Sequence, residues 1–337
     1  MSFSGRGETR ALPSLHESPA LADLGEDRVL EFINRFVVTP ECVVGIGDDT
    51  AVLPASNNSL LTTTDSLVEG VHFRLVPGAV QRLGEKALAV NLSDIAAMGG
   101  EPRYALVSVV ARPETPLRVI DDLYRGLVSE AERFGVSIVG GNLSSTTGPL
   151  VLDVTVLGYA SRDLVVLRSG ARVGDVIAVT GTLGGAAARR WLVESGQEAE
   201  GTIPVPEPRI DIGRRLAAMR LPSAMMDLSD GLATDLHRLA AASGVGAVVN
   251  AGDIPVDIAA RRIQDTRPLD LALYGGEDYE LLLTLQEEHV PAAIEAAADV
   301  PLAVIGTVLA PEHGVLLEEE GGNRTPLPAG GWQHFRA

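Results

Sequence analysis

The stretch GEKALAVNLSDIAAMGG, residues 84–100, is built almost wholly from helix-forming residues and ends on two glycines. Such a run predicts a helix, with Gly99-Gly100 as its C-terminal stop. Asn91 and Asp94 interrupt the Ala, Val, Leu and Ile, and three residues apart they share one face. A buried carboxylate must be paired, protonated or bound to a cation, because burying it alone is costly. The helix is therefore read both as a core element and as a place where chemistry is anchored.

Strand-like segments lie at 43–53 and 60–64 before this helix and at 104–111 after it. Upstream, EDRVLEFINRF (26–36) is amphipathic, with Val29, Leu30, Ile33 and Phe36 on one face. Downstream come a helix over 119–134 stopped by Gly135, and strands at 136–140 and 150–159. A strand, a glycine-rich turn and a helix follow in 168–193, and PVPEPR (204–209) is a proline-rich spacer. Further helices are predicted near 210–219, within SAMMDLSDGLATDLHRLAAASG (223–244) and near 290–298. Strands are predicted at 246–250, 279–285 and 302–309, before a final hairpin. The alternation lacks a strict βαβ rhythm, so the fold class is α+β (α/β), two domains with mixed sheets flanked by helices. The expected division is a flexible N-terminal extension at 1–22, an N-terminal domain at 23–160 and a C-terminal domain at 161–337.

A chain of 337 residues suits about two domains. The balance of 27 Lys and Arg against 45 Asp and Glu gives a net charge of −18, which argues against binding a nucleic-acid backbone. Aromatic residues are only 4%, so the cores must be made of Ala, Val, Leu and Ile. Cys42 is the only cysteine, which excludes an intrachain disulfide or a cysteine-based zinc cluster. No apolar run approaches the roughly 20 residues that span a bilayer. The opening MSFSGRGETRALPSLHESPA lacks the apolar core of a signal peptide. The expectation is a cytoplasmic protein.

The acids fall into two sets. LEEEGGN and LQEEH read as surface charge. The others sit beside glycines or small residues in apolar stretches: Asp48 and Asp49 in VVGIGDDTAVL, Asp65, Asp94, Asp227 and Asp230, and Glu277-Asp278 in YGGEDYELLL. Each alone reads as a cap or a turn, but a converging set of oxygen donors suits a hard cation, Mg²⁺ above all where phosphates complete its shell. For phosphates, G-x-x-x-x-G-K-[ST] is missing, and GTLGGA (181–186) does not fit G-x-G-x-x-G. That turn either meets an anion at a helix N-terminus or packs closely. VGGNLSS (139–145) offers the amides of Gly140 and Gly141, with Asn142 and hydroxyls beyond. Arg168 is either a phosphate-facing guanidinium or a domain-junction ion pair. The six histidines lack metal-site spacing; His237 reads as structural and only His72 stands out. No nucleophile-elbow motif is present.

Taken in order, GIGDDTAVL, TTTDSLVEGVHF, EKALAVNLSDIAAMGGEP, VGGN, LRSGARVGD, DLSDGLATDL and GGEDYEL resemble the thiamine-monophosphate kinase family. That family belongs to the superfamily of aminoimidazole ribonucleotide synthetase. The likeness covers roughly residues 23–337. It implies the two-domain fold of that superfamily, and ATP-dependent phosphorylation of thiamine monophosphate to thiamine diphosphate with several Mg²⁺ ions. It also implies a homodimer paired through N-terminal sheets, acting on small molecules with no nucleic acid or membrane partner. By matching positions, Asp49, Thr63, Thr64, Asp65, Asp94, Asn142, Asp227 and Asp230 are expected at the metal ions. Gly141, Asn142, Arg168 and Ser229 are expected at ATP, and His72, Glu277 and Trp332 at thiamine phosphate, with packing the alternative for Trp332. No general base is expected.

The family commonly has an aspartate where this chain has Asn142. An amide oxygen can still meet Mg²⁺ but brings no charge. Asn142→Asp is therefore expected to remain active and to lower the Mg²⁺ concentration giving half-maximal rate. An unchanged Mg²⁺ titration would remove Asn142 from the ligand set.

Overall fold

The run at 84–100 forms the C-terminal part of an 18-residue helix around which the chain is organised. The computed structural model describes residues 18–36, 53–76, 78–198 and 203–331. The strand expected at 43–53 lies almost wholly outside them, as do Cys42, Asp48, Asp49 and Trp332. Helices α1 (Leu21–Leu24) and α2 (Glu26–Ile33) precede strand β1 (Ser59–Val68), the long helix α3 (Val80–Ala97) and β2 (Glu101–Ala111). Helix α4 (Leu117–Phe134), β3 (Ser137–Ser145) and β4 (Val151–Ala160) complete the first half. Among the described residues these strands make a mixed sheet in the order β1-β4-β2-β3, with only β2 and β3 parallel.

The second half runs β5 (Val176–Thr180), α5 (Gly185–Glu194), α6 (Ile210–Ala218), β6 (Pro222–Asp227) and α7 (Leu232–Ser243). It continues with β7 (Gly246–Asn250), α8 (Pro268–Tyr274), β8 (Leu281–Leu285) and α9 (Val290–Ala297). The last strands are β9 (Leu302–Leu309), β10 (Val315–Glu318) and β11 (Arg324–Pro326). Among the described residues the sheet order is β11-β10-β7-β9-β5-β8-β6, and the only parallel pair is β7 with β10. Both sheets are mixed and flanked by helices, as the sequence pattern implies. The short apolar strands β5 and β8 are buried on both faces, so they read as continuous apolar runs.

Alternation along each strand explains the layers. Ala178, Met225, Leu281 and Leu283 face a core shared with α3, α4, α6 and α9, while Ile177, Val179, Ala224, Met226 and Leu282 face a second core under α7 and α8. The first core is continuous between the halves, because α3 packs on β1 and β4 on one side and on α6 and β6 on the other. Close backbone approach clamps α3 in place. A Cβ at Gly126 of α4 would lie 1.9 Å from Gln81 O, one at Gly84 2.1 Å from Leu123 O, and one at Gly213 of α6 2.1 Å from Ala96 O. The spacer PVPEPR lies against both halves: Glu207 pairs with Arg133 of α4 at 2.7 Å, and Arg209 pairs with Glu280.

The strand expected at 136–140 runs on to Ser145, because its parallel ladder with β2 continues to Ala111. Gly140 and Gly141 therefore belong to a strand and not to a ligand-binding loop. Gly141 is glycine for a packing reason, since a Cβ there would sit 1.8 Å from Val107 O. As β3 is an edge strand among the described residues, one row of its amides points away from β2.

Candidate active site

Helix α3 brings the acids of both halves together. Asp94 Oδ2 accepts a hydrogen bond from Thr63 Oγ1 of β1 at 2.6 Å, and Ser93 Oγ donates to Asp227 Oδ2 at the end of β6 at 2.8 Å. Asp65 is two residues from Thr63 and so on the same strand face. Its carboxyl is pushed up to about 6 by burial first, then by the negative charges of Asp94 and Asp230. Burial also raises Asp94, against the opposing effects of the Thr63 hydroxyl and the Arg168 guanidinium. Asp227 is pushed up to about 8, by burial and then by Asp94, with Asp235 and Asp65 adding to it and only Ser93 opposing. Tyr279 senses the same field: burial, then Glu277, Asp227, Asp65 and Asp94, raise its hydroxyl far above the usual range.

A crowd of half-buried carboxylates short of positive charge fits a cation. Among the described residues no three His, Cys, Asp or Glu side chains converge into a closed metal cage. The donors suit Mg²⁺ that takes one or two carboxylates and completes its octahedron with phosphate oxygens and water.

Beside this group lies a cavity of about 290 Å³ bordered by His72, Phe73, Lys86, Arg190, Ile203 and Glu277. Lys86, almost fully buried on α3, holds Glu277 Oε1 at 2.6 Å, and Arg190 of α5 holds Oε2 at 3.2 Å. Burial alone would raise the Glu277 carboxyl, but Lys86, Arg190 and His72 outweigh it and hold it below the usual range. Glu277 is thus ionised. His72 is fixed by the Val68 N–H, which donates to Nδ1 at 3.0 Å, so the proton of the neutral ring is on Nε2.

The loop carrying Glu277 is unusual. Glu277 (φ 62°) and Tyr279 (φ 52°) both adopt the left-handed conformation that non-glycine residues avoid. They are held there by backbone bonds to the neighbouring acidic loop: Glu277 N donates to Ser229 O at 2.7 Å and Tyr279 N to Leu228 O at 2.8 Å. Backbone strain of this kind concentrates at functional sites.

The expected site residues separate into groups. Thr63, Asp65, Asp94, Asp227 and Asp230 gather at the junction, with Ser229 beside them. His72 and Glu277 meet in the cavity. Thr64 departs from the group: it is on the opposite face of β1, where its Oγ1 lies 3.2 Å from Val154 O and 3.0 Å from Thr155 Oγ1. Asn142 pairs in register with Ser108 on the open face of the first sheet, its Nδ2 donating to Ser144 Oγ at 2.9 Å. Within one chain neither Thr64 nor Asn142 faces the junction, because the strand period of two turns both away from α3. Arg168 is exposed, makes no ion pair among the described residues and acts on Asp94 through its charge. At GTLGGA both readings apply within the chain: Asp278 occupies the N-terminus of α5, accepting from Gly184 N at 2.7 Å and Ala186 N at 3.4 Å, and a Cβ at Gly184 would lie 2.8 Å from Ala272 N. His237 is structural, 2.7 Å from Leu327 O.

Lys86, Ser93, Arg190 and the pair Asp235–Arg238 were not expected. For Lys86 a signal was present, since it is the one basic residue in 84–100 and shares a face with Asp94 at a spacing of eight. Arg238 had a signal too, three residues after Asp235 on α7, whereas Arg190 carries none.

The chain matches two family descriptions in succession, AIR synthase related protein, N-terminal domain, over residues 47–160, and AIR synthase related protein, C-terminal domain, over residues 172–318. The thiamine-monophosphate kinase of Rhodopirellula baltica is 36% identical over 283 residues, covering 80% of this chain and 84% of that protein. The crystal structure of the Stenotrophomonas maltophilia thiamine-monophosphate kinase superposes with a TM-score of 0.77 at 34% identity, covering 87% and 96% of the two chains. The structure of AaThiL complexed with AMPPCP and TMP gives 0.72 at 32% identity, covering 95% and 100%. The class is thus that of the AIR synthase related proteins, with both of its domains present. Within that class the chain belongs to the thiamine-monophosphate kinase family.

The raised carboxyls set the pH response of the cation-free protein. A group that holds its proton more tightly when folded stabilises the fold below its unfolded pKa and loses that contribution as pH rises through the folded value. Without divalent cations, the thermal midpoint should fall between about pH 5 and about pH 9, through the values near 6 for Asp65 and 8 for Asp227. Asp227→Asn should fall less over the same range, and Mg²⁺ should raise the wild-type midpoint more at the upper end. Equal slopes for the two proteins would contradict the burial-driven shift.

Proposed function

We propose that this chain transfers the terminal phosphoryl group of ATP to thiamine monophosphate, forming thiamine diphosphate and ADP. The observation that carries the reading is the meeting of acids from both sheets at α3, beside a cavity held by His72, Lys86, Arg190 and Glu277. Its membership of the kinase family and its similarity to a relative complexed with AMPPCP and TMP support it.

Both reactants are anions at the reacting end, so the protein must neutralise charge and align the groups in line. The attacking phosphate oxygen is already ionised, and no general base is needed. Mg²⁺, when bound, would supply the positive charge that neutralises the phosphates. Thr63, Asp65, Asp94, Asp227 and Asp230 would hold it, with Asp49 completing the set. Arg168 and Ser229 would meet ATP oxygens, and the Gly141–Asn142 strand segment would line the nucleotide from the open face. Glu277 holds Lys86 and Arg190 at the cavity, where their positive charge would meet the phosphate of thiamine monophosphate, with His72 and the apolar wall of Phe73 and Ile203 enclosing the organic part. Trp332 is proposed to face the thiamine phosphate.

The domains proposed are residues 23–160 and 161–337, after an extension at 1–22, in a cytoplasmic enzyme. No described helix is long and apolar enough to cross a membrane. A homodimer would form on the open face of the first sheet, where Leu60 and Leu106 are exposed beside Thr64 and Asn142. Sedimentation equilibrium of the full chain should give twice the monomer mass, and Leu106→Glu should lower it; a monomer at micromolar concentration would reject the dimer.

The direct test is incubation with ATP, Mg²⁺ and thiamine monophosphate. Thiamine diphosphate and ADP should appear in equal amounts, and a lack of product would overturn the assignment. Asp65→Asn and Asp230→Asn should each cut turnover by roughly a hundredfold or more, the scale of losing one transition-state electrostatic group. Near-wild-type rates at saturating Mg²⁺ would remove that residue from the metal-binding set.

A further inference from the structure

Among the described residues, Asp230 is the one acid at the junction with a full cationic partner. Arg238, two turns along α7, places Nη2 2.5 Å from Asp230 Oδ2 and Nη1 2.8 Å from Asp235 Oδ1. The guanidinium thus bridges two carboxylates of unequal standing. Asp235 is completely buried, whereas Asp230 is about one-fifth exposed and faces the other acids. Asp235 uses its second oxygen to accept the backbone N–H of Asp230 at 3.0 Å. One buried carboxylate therefore anchors both the Asp230 loop and the arginine that neutralises Asp230.

We propose that Arg238 is a resident counter-ion that occupies Asp230 until a divalent cation displaces it, with Asp235 as the fixed anchor that retains the guanidinium when Asp230 lets go. The inference rests on reading Asp230 as a cation ligand. Its logic is geometric. Arg238 touches the two carboxylates through different nitrogens, so it can release Asp230 by a small rotation and keep its bond to Asp235. The Asp230 backbone stays in place meanwhile, because its N–H bond to Asp235 does not involve the arginine. A guanidinium on the carboxylate and an Mg²⁺ ion on the same oxygen exclude each other by charge and by space. Arg238 is thus a positioning residue that sets the concentration at which the cation takes over.

The consequence is read by binding without turnover. Mn²⁺ is titrated into the full-length protein in the absence of nucleotide and followed by electron paramagnetic resonance of the unbound ion. Arg238→Gln should bind Mn²⁺ about two- to fivefold more tightly than wild type, the equivalent of one partly exposed ion pair no longer competing. Arg238→Lys keeps the charge and should remain nearer to wild type. If Arg238→Gln fails to fold because Asp235 is left buried without its partner, the double variant Asp235→Asn/Arg238→Gln removes that charge and should show the same gain. Asp230→Asn separates the two levels of the argument. Unchanged Mn²⁺ binding in Asp230→Asn would overturn the reading of Asp230 as a ligand, and the counter-ion with it. Weakened binding in Asp230→Asn together with unchanged or weaker binding in folded Arg238→Gln would overturn the counter-ion alone.

Discussion

Three polar side chains leave helix α3 in three directions, and the site exists only where all three arrive. Lys86 reaches Glu277 on the loop before β8, Ser93 reaches Asp227 at the end of β6, and Asp94 receives Thr63 from β1. The distances of 2.6–2.8 Å leave little slack. A shift of α3 by one ångström would break at least one contact, because hydrogen bonds weaken steeply with distance and angle. The helix is held against such shifts by backbone approaches on two sides, at Gly84 and Gly126 against α4 and at Gly213 against α6. Close packing there is what permits chemical precision at the other end.

The same helix forces like charges together. Asp65, Asp94 and Asp227 are buried with more hydroxyls than cations for company, and their carboxyls rise accordingly. In isolation this is a destabilising arrangement, and a core of apolar residues of equal volume would be more stable. Its persistence in an otherwise regular fold makes sense where an outside cation and phosphates complete the charge balance. Glu277 shows the contrasting design: Lys86 and Arg190 keep it ionised without outside help. Two carboxylate environments on neighbouring loops therefore have opposite electrostatic character, one needing a cation and one already supplied with it.

Much of this was legible in the sequence, for physical reasons that differ from element to element. Strands β7 and β9 were placed to the residue, since short apolar runs between glycines or prolines leave little freedom of register. Helix α4 was bounded within two residues, because Gly135 takes the left-handed conformation that stops a helix. The acids were found as a set because carboxylates in apolar surroundings are costly wherever they occur. Three features were not legible. Strand alternation separates Thr63 and Asp65 from Thr64, but which of the two faces of β1 meets the acids depends on where α3 packs. VGGNLSS read as a run of amides open to a ligand beyond a strand ending at 140, yet the β2 ladder extends through it and makes Gly141 a matter of strand contact. The i,i+3 spacing of Asp235 and Arg238 on α7 was readable, but the reach of Arg238 back to Asp230 depends on the turn that enters the helix.

The strained loop at 276–279 connects these observations. Left-handed backbone at Glu277 and Tyr279 costs of order 1 kcal/mol or more at each residue, and it is maintained by bonds from Ser229 and Leu228. Those two residues lie between Asp227 and Asp230. The segment that aims Glu277 into the cavity is therefore fastened, backbone to backbone, to the segment that carries two of the clustered acids. Relaxing Glu277 to ordinary backbone angles would break the Ser229 contact, and moving Asp230 would pull on the same bond. With Lys86 on α3 holding the Glu277 carboxylate, the loop is fixed at both its backbone and its side chain. The cavity and the acid cluster consequently cannot be positioned independently: the strain is the cost of locking their separation, and that separation is what in-line transfer between two anions requires.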